Sequence, residues 1–135
     1  MFSWKHICTI LIPLAFIGCS SGKPDAKTVT VKGKVTLDAA PMATGKIAFE
    51  GDDGGAPAIL EIKDGVYEGK CSLGKKKVRI TSYIMVAPPK TGMTGPEYEK
   101  QVEQNIIPAR FNTETKEIRE VKDGPNEFDF GVMAK

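Results

Sequence analysis

The sequence predicts an all-β fold: a β-sandwich of about seven strands with Greek-key connections and one short helix in a crossover. Three observations carry this. Apolar and polar residues alternate with period two through most of residues 28–132, the signature of half-buried strands. Fourteen Gly and nine Pro in 135 residues supply turn signals roughly every 8–12 residues. Only one segment has helical character, too little to supply the crossovers of a parallel α/β sheet. The length suits a single domain, and a composition of 41% hydrophobic and 27% charged residues suits a globular one.

The elements follow in order. Residues 28–37 place Val29, Val31, Val35 and Leu37 on one face and Thr30, Lys32, Lys34 and Thr36 on the other, with Gly33 as a point of bending. Asp38-Ala39-Ala40-Pro41 is a turn, and residues 45–50 are a strand burying Ile47 and Phe49. Residues 51–57, GDDGGAP, form a loop. Residues 58–63 and 66–72 form a hairpin around Asp64-Gly65, a strong two-residue turn signal. After a turn at Leu73-Gly74, residues 75–86 read as one long strand with Val78, Ile80, Ser82 and Ile84 on one side. Residues 87–96 hold three Pro and two Gly and are irregular. Residues 96–105, PEYEKQVEQN, favour the one short helix, with Pro96 in its first turn. An extended segment at 106–112 leads to a strand at 117–122 carrying Ile118 and Val121. Asp123-Gly124-Pro125 turns the chain back into a last strand, 126–132, with Phe128, Phe130 and Val132 facing inward.

The N-terminus carries the strongest functional signal. Lys5 and His6 precede an apolar run at residues 7–17. Such a run matches the core of a secretory signal and falls short of the roughly 20 residues needed to span a membrane. It ends in Phe16-Ile17-Gly18-Cys19, which resembles a bacterial lipobox, with Phe16 where Leu is usual. The expectation is cleavage after residue 18 and lipid on Cys19; a plain cleaved signal and an uncleaved anchor are the alternatives. Residues 19–27 then form a flexible tether of at most roughly 28 Å. Acyl chains on Cys19 would hold the protein at a membrane. Ser20 stands where an Asp would signal retention at an inner membrane, which points to the outer membrane or the periplasmic face of the envelope.

Cleavage would also remove chemistry. His6 is the only His of the sequence and leaves with the signal, and loss of Lys5 lowers the formal charge of +2 by one. Without imidazole, Ser-His-Asp and Cys-His catalysis and His-ligated metal sites are excluded. No cofactor or metal is expected. No basic, aromatic-laced stripe points to nucleic acid. With Cys19 lipidated, Cys71 has no partner within the mature chain. It shares a strand face with Tyr67 and reads as a buried, inert thiol rather than a nucleophile, because no activating base is evident.

Three segments carry a family resemblance: VTVKGKVTLDAAPMATGKIAFE, IKDGVYEGKCSLGKKKVRITSY and IIPARFNTETKEIREVKDGPNEFDFGV. Together they resemble the small secreted lipoproteins of planctomycete-type bacteria, related to carboxypeptidase regulatory-like and transthyretin-like domains. Ala39 and Ala40 depart from the Gly and Lys usual in the first turn. The resemblance implies an immunoglobulin-like or prealbumin-like sandwich and an envelope location. It implies no activity and transfers no site residues.

A few residues are candidates for binding. Asp52 and Asp53 lie in a Gly-rich loop where Ca²⁺ ligands can occur, though adjacent Asp side chains point apart and a solvated turn is the preferred reading. Lys75, Lys76 and Lys77 open a strand and read as a solvated strand end rather than a contact for anionic lipid or glycan. Tyr98, Arg110 and Phe111 form a possible aromatic and cationic patch. For the last two the preferred reading is structural, with Phe111 pinning the crossover and Arg110 pairing with an acid. The reading is a non-enzymatic, lipid-anchored envelope module with a structural or protein–protein role. The alternative is a module binding glycan or a small solute through the loops around Asp52 or residues 87–95. An enzyme built on carboxylates alone ranks last, since so small a sandwich rarely shapes a deep cleft.

Overall fold

The computed structural model describes residues 26–90, 92–96 and 100–134. The expected signal segment, Cys19 and most of the tether lie outside them.

Strand β1 (Thr28–Leu37) follows the expected alternation, with Val29, Val31 and Val35 buried and Lys32 and Lys34 exposed. Asp38 and Ala39 both take positive φ (51° and 67°), a tight primed turn that lays β2 (Ala40–Pro41) antiparallel on the end of β1. Strand β3 (Thr44–Gly51) buries Ile47 and Phe49. Strands β4 (Ala58–Lys63) and β5 (Val66–Ser72) flank Asp64-Gly65 as the sequence predicts, both turn residues at positive φ. Then come β6 (Gly74–Thr81), β7 (Tyr83–Val86), β8 (Val102–Asn105), a 3-10 turn (Ala109–Phe111), β9 (Ile118–Val121), β10 (Asn126–Glu127) and β11 (Phe130–Val132).

Nine strands form one curled sheet along the path β10-β1-β5-β4-β3-β6-β9, with β2 and β11 also paired to β1; β7 and β8 form a separate two-stranded ribbon. The β1–β5 ladder runs from Thr28↔Ser72 to Lys34↔Val66, whereas β4 and β5 pair only at Lys63↔Val66. The sheet therefore opens and folds over at this hairpin. Leu60 lies across the opening, so close to Gly69 that a Cβ there would stand 2.2 Å from its Cδ2. The rings of Phe49 and Tyr67 meet at 6.0 Å, Phe49 and Phe128 at 6.4 Å, and Tyr67 and Phe130 at 6.4 Å. Burying side chains of this size is worth roughly 1.5–3 kcal/mol each. Around them pack Val31, Val35, Ile47, Ile62, Val78 and Val121.

The chain closes by laying β10 and β11 parallel on β1. Asn126 locks the turn that makes this possible: its Oδ1 accepts from Lys122 N (3.0 Å), and its Nδ2 donates to the carbonyls of Lys122 (2.8 Å) and Gly124 (2.9 Å).

Three expectations are corrected. The described residues form eleven strands rather than about seven, because two long predicted strands are broken and two short ones are added. The 75–86 strand breaks at Ser82, where its neighbour β3 begins at Thr44; beyond that point no strand of the main sheet among the described residues pairs with it. Ile84, expected on the buried side, is 45% exposed. The last strand breaks at Phe128-Asp129 as the chain steps over Gly33. The helix expected at 96–105 is replaced at 102–105 by β8, paired with β7 from Tyr83↔Asn105 to Val86↔Val102; residues 97–99 lie outside the description. Glu, Lys and Gln favour a helix, but this segment has no apolar stripe to bury, and a short isolated helix is marginal in water.

The sheet has two ends. At the tether end lie Thr28, the Leu73-Gly74 turn, the 51–57 loop and Asp123, whose carboxylate meets Lys27 Nζ at 2.5 Å. At the far end lie the Asp38 and Asp64 turns, Thr44 and the root of the β7–β8 ribbon.

Candidate functional site

The ribbon is held at its root by two polar side chains. Ser82 Oγ donates to Thr44 O (2.8 Å), and Asn105 Oδ1 accepts from Ser82 N (3.2 Å) and Ile107 N (3.1 Å). Ile107 and Ser82 are buried, so the root is part of the core edge. Beyond it the ribbon is apolar and open: Tyr83 is 54% exposed, Met85 55% and Val102 43%. Successive strand residues point to opposite faces, so both faces present apolar side chains. An exposed cluster of this kind marks an interaction site more often than an isolated surface apolar residue does.

Where the ribbon leaves the sheet it roofs a groove of about 420 Å³ lined by Thr44, Lys46, Glu61, Lys63, Tyr83 and Glu103 among others. Lys63 Nζ stands 3.0 Å from Glu61, and this contact holds the Glu61 carboxyl below its ordinary value. The groove thus combines an aromatic face, hydroxyls, and both signs of charge.

The residues singled out from the sequence do not come together here. Cys19 and Tyr98 lie outside the described residues. Asp52 and Asp53 are exposed in the loop at the tether end, and Asp53 Oδ1 accepts from Gly55 N (3.2 Å) in a local turn. Among the described residues no group of three or more His, Cys, Asp or Glu side chains is placed to hold a metal ion. Arg110 and Phe111 sit on the 3-10 turn. Phe111 packs against the core beside Val78 and Ile80. The Arg110 guanidinium lies 4.9 Å from the Phe111 ring centroid and donates to Met133 O (3.0 Å).

Cys71 is buried, as is Tyr67 four residues before it on the same strand face. Burial pushes its thiol above the ordinary value, with Lys76 opposing in part. Lys76 itself departs from expectation. Lys75 and Lys77 are exposed, but Lys76 is only 3% exposed. Its Nζ and Asp53 Oδ1 approach the same spot, 2.7 Å and 2.6 Å from where a Gly51 Cβ would be, without an ion pair among the described residues. Period two gives the reason: Lys76 shares a face with Val78 and Ile80.

Tyr83, Met85 and Val102 were missed as site residues because Tyr83 and Met85 read as part of a long core strand and Val102 as part of a helix. The available signal was an apolar run at residues 83–87 followed by Pro88-Pro89.

No family model matches the chain, and no curated protein matches it. Among solved structures it is similar to the crystal structure of a DUF3823 family protein from Parabacteroides merdae, with a TM-score of 0.42 and 16% identity, covering 80% of this chain and 47% of that one. The chain spans about half the length of that protein.

Proposed function

We propose that this chain is a lipid-anchored module of the bacterial cell envelope that works without catalysis, by docking protein through the apolar ribbon at its far end. The observation that carries the reading is the placement of that ribbon. The described chain enters at the Thr28 end of β1, and the ribbon springs from the opposite end of the sheet, beside Thr44. A lipid on Cys19 would hold the tether end toward the membrane and turn Tyr83, Ile84 and Met85 away from it. The lipobox-like Phe16-Ile17-Gly18-Cys19, the polar tether and the resemblance to secreted lipoproteins with transthyretin-like domains support the same reading. In it the folded-over sheet is an immunoglobulin-like or prealbumin-like sandwich.

Methionine oxidation tests the docking. Met85 and Met133 are similarly exposed, at 55% and 62%, so Met133 is an internal control. In intact envelopes treated with peroxide, Met85 is expected to oxidise well behind Met133. Equal rates would reject a covered ribbon.

A second reading is favoured by the groove beneath the ribbon: a glycan stacked on Tyr83 and held by Thr44, Lys46 and Glu61. A glycan array without hits, or hits unchanged by Tyr83→Ala, would reject it.

A further inference from the structure

We infer that the ribbon's partner is a second copy of this chain, whose β7 adds antiparallel to the free edge of the first; this rests on the docking reading above. β7 is paired by β8 along one edge, and among the described residues no strand pairs the other. An open edge is a template for another strand, and proteins that must stay apart guard such edges with charge. The other edges here are charged or very short: β10 carries Glu127, and the uncharged β2 and β11 run for only two and three residues. β9 carries Arg119 and Glu120, β4 carries Glu61 and Lys63 toward its opening, and β8 carries Glu103. β7 is the exception: residues 82–89, SYIMVAPP, hold no charge.

This pattern suits a second copy. A two-fold axis through β7 brings Tyr83, Ile84 and Met85 of each copy opposite uncharged side chains of the other. No like charges meet, and half-exposed apolar side chains gain cross-strand neighbours on both faces. Pairing β8 with β8 would instead set Glu103 near Glu103. The β7 arrangement is self-complementary and closes at two copies. It leaves the two β8 strands, each with its Glu103, as the outer edges of a four-stranded sheet, which stops further growth.

The test is photo-crosslinking of the full chain in the envelope of its native host. Benzoylphenylalanine replaces Met85 in one variant and the exposed Glu120 in a control. Ultraviolet light is expected to give a species of twice the monomer mass from the Met85 position, joined to residues 83–86 of the second copy, and none from the Glu120 position. Adding Ile84→Lys, which sets ammonium groups against each other, is expected to cut that yield at least about tenfold with the circular dichroism unchanged. A product joined to a different polypeptide overturns self-pairing and leaves the docking reading standing. A product with lipid alone, or none, overturns both. A dimer yield indifferent to Ile84→Lys in a folded variant overturns the β7 edge as the contact.

Discussion

Gly33 has no room for a side chain. A Cβ there would stand 1.9 Å from Phe128 O and 2.9 Å from the Tyr67 hydroxyl. The approach it permits lets Tyr67 donate to Phe128 O at 2.7 Å and Lys34 N donate to Asp129 Oδ1 at 2.7 Å. Because the clash is with backbone, Gly33→Ala should cost about 3 kcal/mol, read as a drop in the urea midpoint; a loss under about 0.5 kcal/mol would contradict it. Lys76 makes the opposite case. A lysine only 3% exposed, with no ion pair among the described residues, holds its charge at the edge of an apolar face that a side chain of similar length without charge would fill at less cost. Lys76→Met should therefore raise stability by about 1 kcal/mol. A clear loss would instead show that the ammonium and Asp53 support each other across Gly51. Both residues were within reach of the sequence to different degrees. Gly33 stands out in the sequence as a point of bending, but its task is to make room for the Phe128 carbonyl, and that was not legible, because β10 and β11 reach β1 from about 95 residues away. The inward Lys76 followed from period two, and the expectation of a solvated lysine run overrode it.

At the scale of elements, the ribbon depends on its root. Asn105 satisfies two backbone N–H groups, of Ser82 and Ile107. Removing a shared acceptor costs about 1–3 kcal/mol where the donors stay dry. Asn105→Ala should thus speed amide exchange at residues 83–86 and 102–104 while the β1–β5 ladder stays protected. Equal acceleration throughout would mean that the ribbon and the sheet unfold as one unit. The turn of the β4–β5 hairpin was legible, since Asp64-Gly65 dictates it, but not the parting of its strands after Lys63↔Val66. The ribbon was not legible either. Its strands lack the alternation of a half-buried strand because neither face is covered, and in β8 local propensity points to helix. Pairing with β7 decides the outcome, and no local pattern records that pairing.

For the whole molecule, alkaline pH probes the folded-over core. Burial raises the Tyr67 phenol well above its ordinary value, with Asp129 adding to the shift, and burial raises the Cys71 thiol. In both groups the folded state holds its proton more tightly than the unfolded state does. Their contribution is complete below the ordinary values, about 8.5 for a thiol and about 10 for a phenol, and is lost as pH rises through the higher folded values. The urea midpoint should hold level to about pH 8 and then fall. A midpoint that stays level through about pH 11 would contradict a dry Tyr67 and Cys71. The all-β class, the core face of β1 and the burial of Cys71 were legible because they rest on period two. The long-range closure of β1 by β10 and β11 and the far-end ribbon required the structure. The central claim is that the chain is held by lipid at its tether end, with the ribbon presented away from the membrane. Its most direct test is the intact mass of the native protein taken from membranes. The account predicts a chain that begins at Cys19 and carries acyl groups; a lipid-free chain, or one retaining residues 1–18, would contradict it.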